Sequence, residues 1–137
     1  MTFIRKTSAA GIALATLLAT TAFTSAQAQE DTIKVGILHS LSGTMAISET
    51  TLKDAMLMLI EEQNEKGGLL GKQIKLNDYD SQSNMQLYSQ YAQQLALKDK
   101  AAVVHGGITS ASREVIRPVL RRYKTLYFYN TLYEGGV

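Results

Sequence analysis

Residues 101–115, "AAVVHGGITSASREV", carry the pattern that decides the fold. A short apolar run leads into two glycines and then into three hydroxyl residues, and a helical pattern of charged and apolar residues follows. A strand that ends in a glycine-rich turn before a helix is the repeating unit of α/β proteins. Such a turn could cradle a phosphate, carry a catalytic serine, or line a pocket for a small polar molecule.

The same alternation of strand and helix extends over the rest of the chain. Apolar or alternating runs predict strands at 32–38, 73–79, 101–104 and 125–129, and helical spacing predicts helices at 49–66, from 83 onward, and at 110–123. Strands separated by helices of this length pair in parallel through right-handed crossovers. The predicted fold class is therefore α/β, a parallel sheet with helices on both faces.

Apolar residues recur at helical spacing in the first two predicted helices. In the first helix the predicted core-facing stripe is Leu52, Ala55, Met56, Leu59 and Ile60. In the second helix it is Met85, Tyr88, Tyr91, Ala92 and Leu95. Ser83 and Gln86 have the spacing of a capping box, which predicts that Ser83 caps the second helix.

Residues 1–28 have the three parts of a secretory signal peptide. Two basic residues precede an uncharged, Ala- and Leu-rich run at 9–23, and the small residues of "AQA" at 26–28 fit the cleavage pattern. The apolar run is shorter than the roughly 20 residues that a membrane-spanning helix needs. We expect cleavage near Ala28, which would release a soluble periplasmic protein. The folded domain is expected at 29–137.

Composition narrows the classes of function. The chain contains no cysteine, so it can form no disulfide and offers no thiol or lipid-modified cysteine. The signal peptide holds two of the 14 Lys and Arg residues, which leaves 12 basic residues against 12 acidic residues. This balance gives no electrostatic reason to bind nucleic acid or an anionic membrane surface.

Phosphate-binding motifs are not matched. The nearest segment to a Walker A loop is "KGGLLGKQ" at 66–73, where Lys66 and Gln73 stand in place of the required glycine and hydroxyl residue. This segment also precedes a strand, whereas the motif must open a helix. The dinucleotide fingerprint G-x-G-x-x-G is absent as well, so no nucleotide cofactor is expected.

A catalytic serine is weakly supported. The segment "GGITSAS" lacks the G-x-S-x-G elbow, and a serine nucleophile needs a base beside it. His39 and His105 are the only histidines, and both are expected as partly buried residues at strand ends. Their spacing is not that of metal ligands. We expect no enzyme and no metal, with a hydrolase that uses Ser110 and a histidine as a rival hypothesis.

A binding pocket fits the pattern better. Ligands of parallel α/β sheets bind beyond the carboxyl ends of the strands, and hydroxyl and amide residues are frequent there. The hydroxyl of Ser110 and the first N–H groups of the third helix would suit a carbonyl or carboxylate oxygen. Helix capping by Ser110 or Thr109 is the alternative, and it is compatible with binding.

The segment "LYFYNTLYEGG" at 126–136 supplies aromatic residues to the same edge. Tyr127 and Tyr129 are expected on one face of the last strand, with Thr131 just beyond its end. Tyrosine rings form flat apolar walls with a hydroxyl at the rim, which suits a compact hydrogen-bonding ligand. Ordinary packing within the sheet is the alternative interpretation of these rings.

Residues 29–137 resemble the amino-terminal part of type I periplasmic binding proteins, and within them the urea and short-chain amide branch. Four segments carry the resemblance: "IKVGILHSLSGTMAISE" (33–49), "EEQNEKGGLLGKQI" (61–74), "TSASREVIRPV" (109–119) and "LYFYNTLYEGG" (126–136). The first two indicate the fold, and the last two are more specific for the ligand. The most specific pattern is formed by Tyr129, Thr131, Tyr133, Glu134 and Gly135.

The resemblance implies the solute-binding component of an ABC importer, which holds urea or a short-chain amide between two lobes and delivers it to an inner-membrane permease. It implies ligand contacts for Ser110, Tyr129 and Thr131, with the loop at 40–44 at the mouth of the site. The chain then corresponds to a partial amino-terminal lobe. It departs from the pattern at Ile108, where an aromatic residue is common, and at Asn130, where proline is common.

Two further rivals share the fold. One is a branched-chain amino-acid binding protein, which would need charged partners for the ligand's ammonium group. The other is a cytoplasmic amide-sensing regulator, against which the signal peptide argues.

Overall fold

Strands and helices alternate along residues 31–131, the part of the chain that the computed structural model describes. The elements are β1 (Ile33–His39), α1 (Ala46–Glu65), β2 (Ile74–Asp80), α2 (Met85–Gln94), β3 (Val103–Gly106), α3 (Ser110–Arg122) and β4 (Leu126–Phe128). A five-residue π-helical turn, Leu95–Asp99, continues α2. The predicted signal peptide and residues Tyr133, Glu134 and Gly135 lie outside the described residues.

The strands form one parallel sheet in the order β2-β1-β3-β4. Ile33 of β1 pairs with Ile74 of β2, and Val35 of β1 pairs with Val103 of β3. The chain moves from β1 outward to β2 and then returns past β1 to β3, so the direction of winding reverses between β1 and β3. In open α/β sheets a ligand site lies at such a reversal. The predicted fold class is confirmed.

The two faces of the sheet have separate cores because side chains alternate along each strand. Residues of α2 and α3 cover one face, in a cluster that consists of Leu38, Tyr88, Ala92, Leu95, Ala101, Val104, Ile116 and Leu120. Residues of α1 cover the other face in a smaller cluster, Val35, Ile37 and Ile60, with Met56, Ile74, Leu76 and Val103 beside it. Helices therefore lie on both faces, as the sequence predicts.

The predicted cap of the second helix is wrong. Asn84 is the N-cap of α2, and its Oδ1 accepts hydrogen bonds from the backbone N–H groups of Gln86 (2.8 Å) and Leu87 (3.3 Å). Ser83 lies before the helix in a left-handed conformation, with φ at 55°. Its hydroxyl accepts a hydrogen bond from the N–H of Met45 instead, so Ser83 connects two loops.

The predicted apolar stripe of α1 is only partly correct. Met56 and Ile60 pack against the sheet, but Ala55 is exposed and the side chain of Leu59 is 53% exposed. The helix contacts the sheet along a narrow face, and Glu49 occupies that face one turn after the helix begins. Within residues 31–131 no helix has the length and apolarity required to cross a membrane.

Candidate functional site

The carboxyl ends of the four strands meet at one edge of the sheet, because parallel strands all end on the same side. We call this the strand-end edge, and it consists of the loops at 40–45, 81–84 and 107–109 together with residues 129–131. The loop expected at the mouth of the site, the turn before Ser110 and the end of the last strand all contribute to it. The strand-end edge is therefore the candidate functional site.

Two glycines shape the turn after β3. A Cβ atom on Gly106 would lie 2.1 Å from the carbonyl oxygen of Leu38, so β3 can approach β1 this closely only with glycine there. Gly107 has φ at 73°, a left-handed conformation that favours glycine. Its N–H donates to the same Leu38 oxygen at 2.9 Å. The pair thus directs the chain sharply out of the sheet into α3.

Thr109 rather than Ser110 caps α3. The Thr109 Oγ1 accepts from the N–H of Ser112 at 3.1 Å, and the Thr109 N–H donates back to the Ser112 hydroxyl at 3.2 Å. This reciprocal pair satisfies two backbone donors at the start of the helix. Ser110 is the first helical residue and is partly buried. Of the two capping candidates, the structure assigns the cap to Thr109, and the binding role of Ser110 stays a prediction.

Two tyrosine hydroxyls join β4 to the turn after β3. Tyr127 donates to the carbonyl oxygen of Gly106 at 3.0 Å, and Tyr129 donates to that of Ile108 at 2.7 Å. The rings share one face, as the sequence predicts. Burial raises the pKa of Tyr127 well above its ordinary value, so its hydroxyl keeps its proton and stays a donor.

Tyr129 thereby lies next to the loop that carries Ser110. Its hydroxyl donates to the carbonyl oxygen of Ile108 in that loop. The guanidinium of Arg113 lies 5.7 Å from the centre of this ring. Thr131 is the last described residue and is partly buried. The contact roles predicted for Tyr129 and Thr131 also stay predictions.

Asp80, at the end of β2, fastens the loop at 40–44. Its carboxylate accepts from the backbone N–H groups of Leu41 (2.8 Å), Ser42 (3.2 Å) and Gln82 (2.8 Å), and from the hydroxyl of Ser42 (2.6 Å). Burial alone would raise the pKa of Asp80, but these hydrogen bonds together hold it below the ordinary value. The loop expected at the mouth of the site is therefore fixed by an ionised carboxylate.

A buried polar network, which the sequence pattern does not predict, lies beneath the strand-end edge. Glu49, fully buried, accepts from the N–H of Ser40 at 3.0 Å, from Nδ1 of His39 at 2.7 Å and from the hydroxyl of Tyr88 at 2.7 Å. One signal could have revealed Glu49. It precedes Met56 and Ile60 by seven and eleven positions, so it shares the helix face that packs on the sheet.

The two histidines meet in this network. Their positions at strand ends are as predicted, but they are buried rather than partly buried, with exposed fractions of 0% and 6%. His39 Nε2 lies 3.3 Å from His105 Nδ1. Burial, and then the neighbouring His39, lower the pKa of His105, which is therefore neutral near pH 7. Within residues 31–131 no three His, Asp or Glu side chains are grouped so as to hold a metal ion.

Comparison with known proteins places this geometry in a family. Residues 33–136 match the family described as periplasmic binding protein domain. The branched-chain amino acid transporter substrate-binding protein LivJ of Streptococcus pneumoniae, solved in complex with isoleucine, is similar with a TM-score of 0.73 and 25% identity, over 76% of this chain and 30% of that chain.

Two more solved structures share the fold. The leucine binding protein LivK of Thermotoga maritima matches with a TM-score of 0.63 and 19% identity, over 69% of this chain and 26% of that chain. A substrate-binding periplasmic protein of Ralstonia solanacearum matches with a TM-score of 0.66 and 21% identity, over 69% and 28%. The chain spans less than a third of the length of each of these structures. On the family match over residues 33–136 and the parallel sheet that winds in both directions from β1, the chain belongs to the periplasmic binding protein family, with the type I fold.

Proposed function

We propose that this chain is part of the solute-binding component of an ABC importer and that it captures urea or a short-chain amide in the periplasm. The observation that carries the proposal is the hydrogen bond from Tyr129 to Ile108. It joins the end of β4 to the loop before Ser110, so an aromatic ring and a hydroxyl residue lie at one edge. A ligand bound there would pass to an inner-membrane permease, and no bond would be made or broken.

The chemistry of the three proposed contact residues favours a neutral ligand. Ser110, Tyr129 and Thr131 are uncharged and partly buried, and each carries a hydroxyl group, a type of group that accepts hydrogen bonds from amide N–H groups. The hydroxyls of Ser110 and Thr131 can also donate to a carbonyl. Urea and short-chain amides present just these groups. The resemblance of the segment at 126–136 to the urea and amide branch points the same way.

A branched-chain amino acid is the second candidate ligand. Two of the similar structures are named for branched-chain amino acid transport or for leucine binding, and one was solved with isoleucine. An amino acid carries an ammonium group and a carboxylate, so it needs charged or strongly polar partners for both. The N-terminal N–H groups of α3 would suit the carboxylate.

Calorimetric titration of the full-length protein separates these ligands. We expect heat of binding with urea, acetamide or formamide and none with leucine. Heat of binding with leucine, and none with urea, acetamide or formamide, would instead indicate a branched-chain amino-acid binding protein. Release of ammonia during the titration would instead indicate a hydrolase.

Replacement of two adjacent hydroxyl residues tests the site. Ser110→Ala should weaken amide binding about five-fold, the value of one net hydrogen bond, and should change the melting temperature less than Thr109→Ala does. Thr109→Ala removes the cap of α3 and should cost about 1 kcal/mol of stability. Unchanged affinity in Ser110→Ala would remove Ser110 from the binding site.

A further inference from the structure

The Glu49 carboxylate accepts hydrogen bonds from three groups. Its Oε2 accepts from the backbone N–H of Ser40 and from His39 Nδ1, and its Oε1 accepts from the hydroxyl of Tyr88. A carboxylate has only acceptor sites, so each of these three partners must act as the donor. The donors belong to the end of β1, to the loop that follows it, and to α2.

This requirement sets the direction of a chain of hydroxyl groups. Tyr88 donates its single proton to Glu49, so its oxygen must accept from the hydroxyl of Ser40, 2.9 Å away. Ser40 has then used its own proton and accepts from the Ser81 hydroxyl at 2.9 Å and from the Ser83 N–H at 2.9 Å. The charge of Glu49 thus orders protons as far as the loop at 81–84.

The histidines extend the network in the opposite direction. His39 donates through Nδ1 to Glu49, which leaves its Nε2 to meet Nδ1 of His105 at 3.3 Å. His105 lies at the end of β3, directly before the two glycines of the turn into α3. The His39 ring therefore connects Glu49 to the carboxyl end of β3.

We propose that Glu49 is a positioning residue. It holds the carboxyl ends of β1, β2 and β3 in one arrangement at the strand-end edge before a ligand binds. The inference rests on the proposed function in one respect, namely that this edge binds the ligand. Glu49 itself is fully buried beneath the edge, so it acts through the loops. The segments that it holds are the loops at 40–45 and 81–84 and the segment at 105–109, which consists of the end of β3 and the turn that follows it.

Hydrogen exchange of the ligand-free, full-length protein provides the test. Glu49→Gln keeps the size of the side chain but removes its charge and replaces one acceptor by a donor. We expect backbone amides in all three segments to exchange about ten-fold faster, the effect of losing a hydrogen bond to a charged group, while β2 and the second half of α1 are unchanged. Glu61→Gln, an exposed change on the same helix, is the matched control and should alter nothing.

Tyr88→Phe gives a second variant should Glu49→Gln not fold. It removes only the hydroxyl chain and leaves the bonds of Glu49 to Ser40 and His39 in place. We expect faster exchange at 81–84 and no change at 105–109. Equal acceleration across the whole domain in either variant would show general destabilisation and would overturn the positioning role, as would exchange unchanged from wild type.

Binding measured on the same samples separates the two proposals. Urea, acetamide and leucine are titrated into the wild-type protein and into Glu49→Gln, each below the melting temperature of that protein. The ligand that binds the wild-type protein should bind the variant about ten-fold more weakly. Wild type that binds none of the three refutes the proposed function, and the exchange data still decide the role of Glu49. Loops that loosen without any loss of affinity would overturn the link between Glu49 and the ligand site.

Discussion

Two carboxylates organise the strand-end edge because each accepts several hydrogen bonds. Asp80 accepts from three backbone N–H groups and one hydroxyl, and Glu49 accepts from a backbone N–H, a tyrosine and a histidine. Hydrogen bonds to an ionised group are stronger than those between neutral groups. Both carboxylates therefore help to fix the loop after β1.

The lowered pKa of Asp80 predicts a specific dependence of stability on pH. A carboxyl group whose pKa is lower in the folded state than in the unfolded state, where it is near 3.8, contributes stability above that pH and loses it as the pH falls through the folded value. Asp80→Asn should therefore cost about 1 kcal/mol of stability near neutral pH, and this cost should shrink as the pH falls below 3.8. Denaturant unfolding at several pH values measures this change.

Asp78→Asn is the control for the Asp80 experiment. Asp78 lies two residues earlier on the same strand and is exposed. Its replacement should leave the dependence of the unfolding free energy on pH, at acidic pH, as in the wild-type protein. A cost for Asp80→Asn that stays constant as the pH falls would contradict the role of the ionised carboxylate.

Residue positions could be predicted where sequence order alone determines them. Ser110 and Tyr129 were expected at one edge because the carboxyl ends of parallel strands coincide, and the Tyr129–Ile108 hydrogen bond bears out that proximity. The network around Glu49 was not predicted, because its contacts are distant in sequence. Tyr88 and Glu49 are separated by 39 positions, and His39 and His105 by 66 positions. Such pairs leave no local pattern, and only the relative placement of α1, α2 and β3 brings them together.

At the scale of elements, type and order could be predicted more reliably than ends. All the described strands and helices were expected, but β1 and β2 each extend one residue further than the hydrophobic pattern indicates, to the polar residues His39 and Asp80. The π-helical end of α2 was not foreseen. It closes at Lys100, a left-handed residue with φ at 55°, where a glycine would have been the usual signal.

The close approach of β3 to β1 predicts a contrast between two glycines. A Cβ atom at Gly106 would meet the backbone oxygen of Leu38 at 2.1 Å, whereas one at Gly36 would meet only side-chain carbons of Leu95 and Val104 at 2.9–3.0 Å. Side chains can shift and a paired strand cannot. Gly106→Ala should destabilise the protein by about 3 kcal/mol or more, and Gly36→Ala by about 1 kcal/mol.

Thermal or denaturant unfolding of both variants measures the contrast. The two positions lie on neighbouring paired strands, so Gly36→Ala controls for the lower backbone freedom of alanine in a strand. Similar losses in the two variants would contradict a backbone clash as the cause.

At the scale of the whole molecule, the two faces of the described sheet are unequally covered. Leu126 and Phe128 on β4 are 65% and 55% exposed. They lie on the same face as α1, which packs mainly over β1 and β2. Phe128 borders an apolar groove of about 330 Å³ that reaches Met56 of α1. β4 is also an edge of the described sheet, and an exposed apolar edge strand favours association between chains.

A fragment of residues 29–137 should therefore associate in a concentration-dependent manner when it is produced alone. The double change Leu126→Lys and Phe128→Lys places charge on the exposed edge and should reduce association, as followed by light scattering. The control is the pair Ile47→Lys and Leu70→Lys, because both residues are 88% exposed but lie off the sheet. Equal solubility gains in the two double variants would show that added charge alone is responsible.

The hydroxyls of Tyr127 and Tyr129 have a consequence for the entropy of binding. Each ties the end of β4 to a carbonyl of the turn after β3, so these two segments are ordered relative to each other without a ligand. Ordering a loop on binding costs conformational entropy that is subtracted from the affinity. A small molecule has few atoms with which to offset such a cost. A ligand captured at this edge would give up its own freedom of motion and require little further loss from the protein.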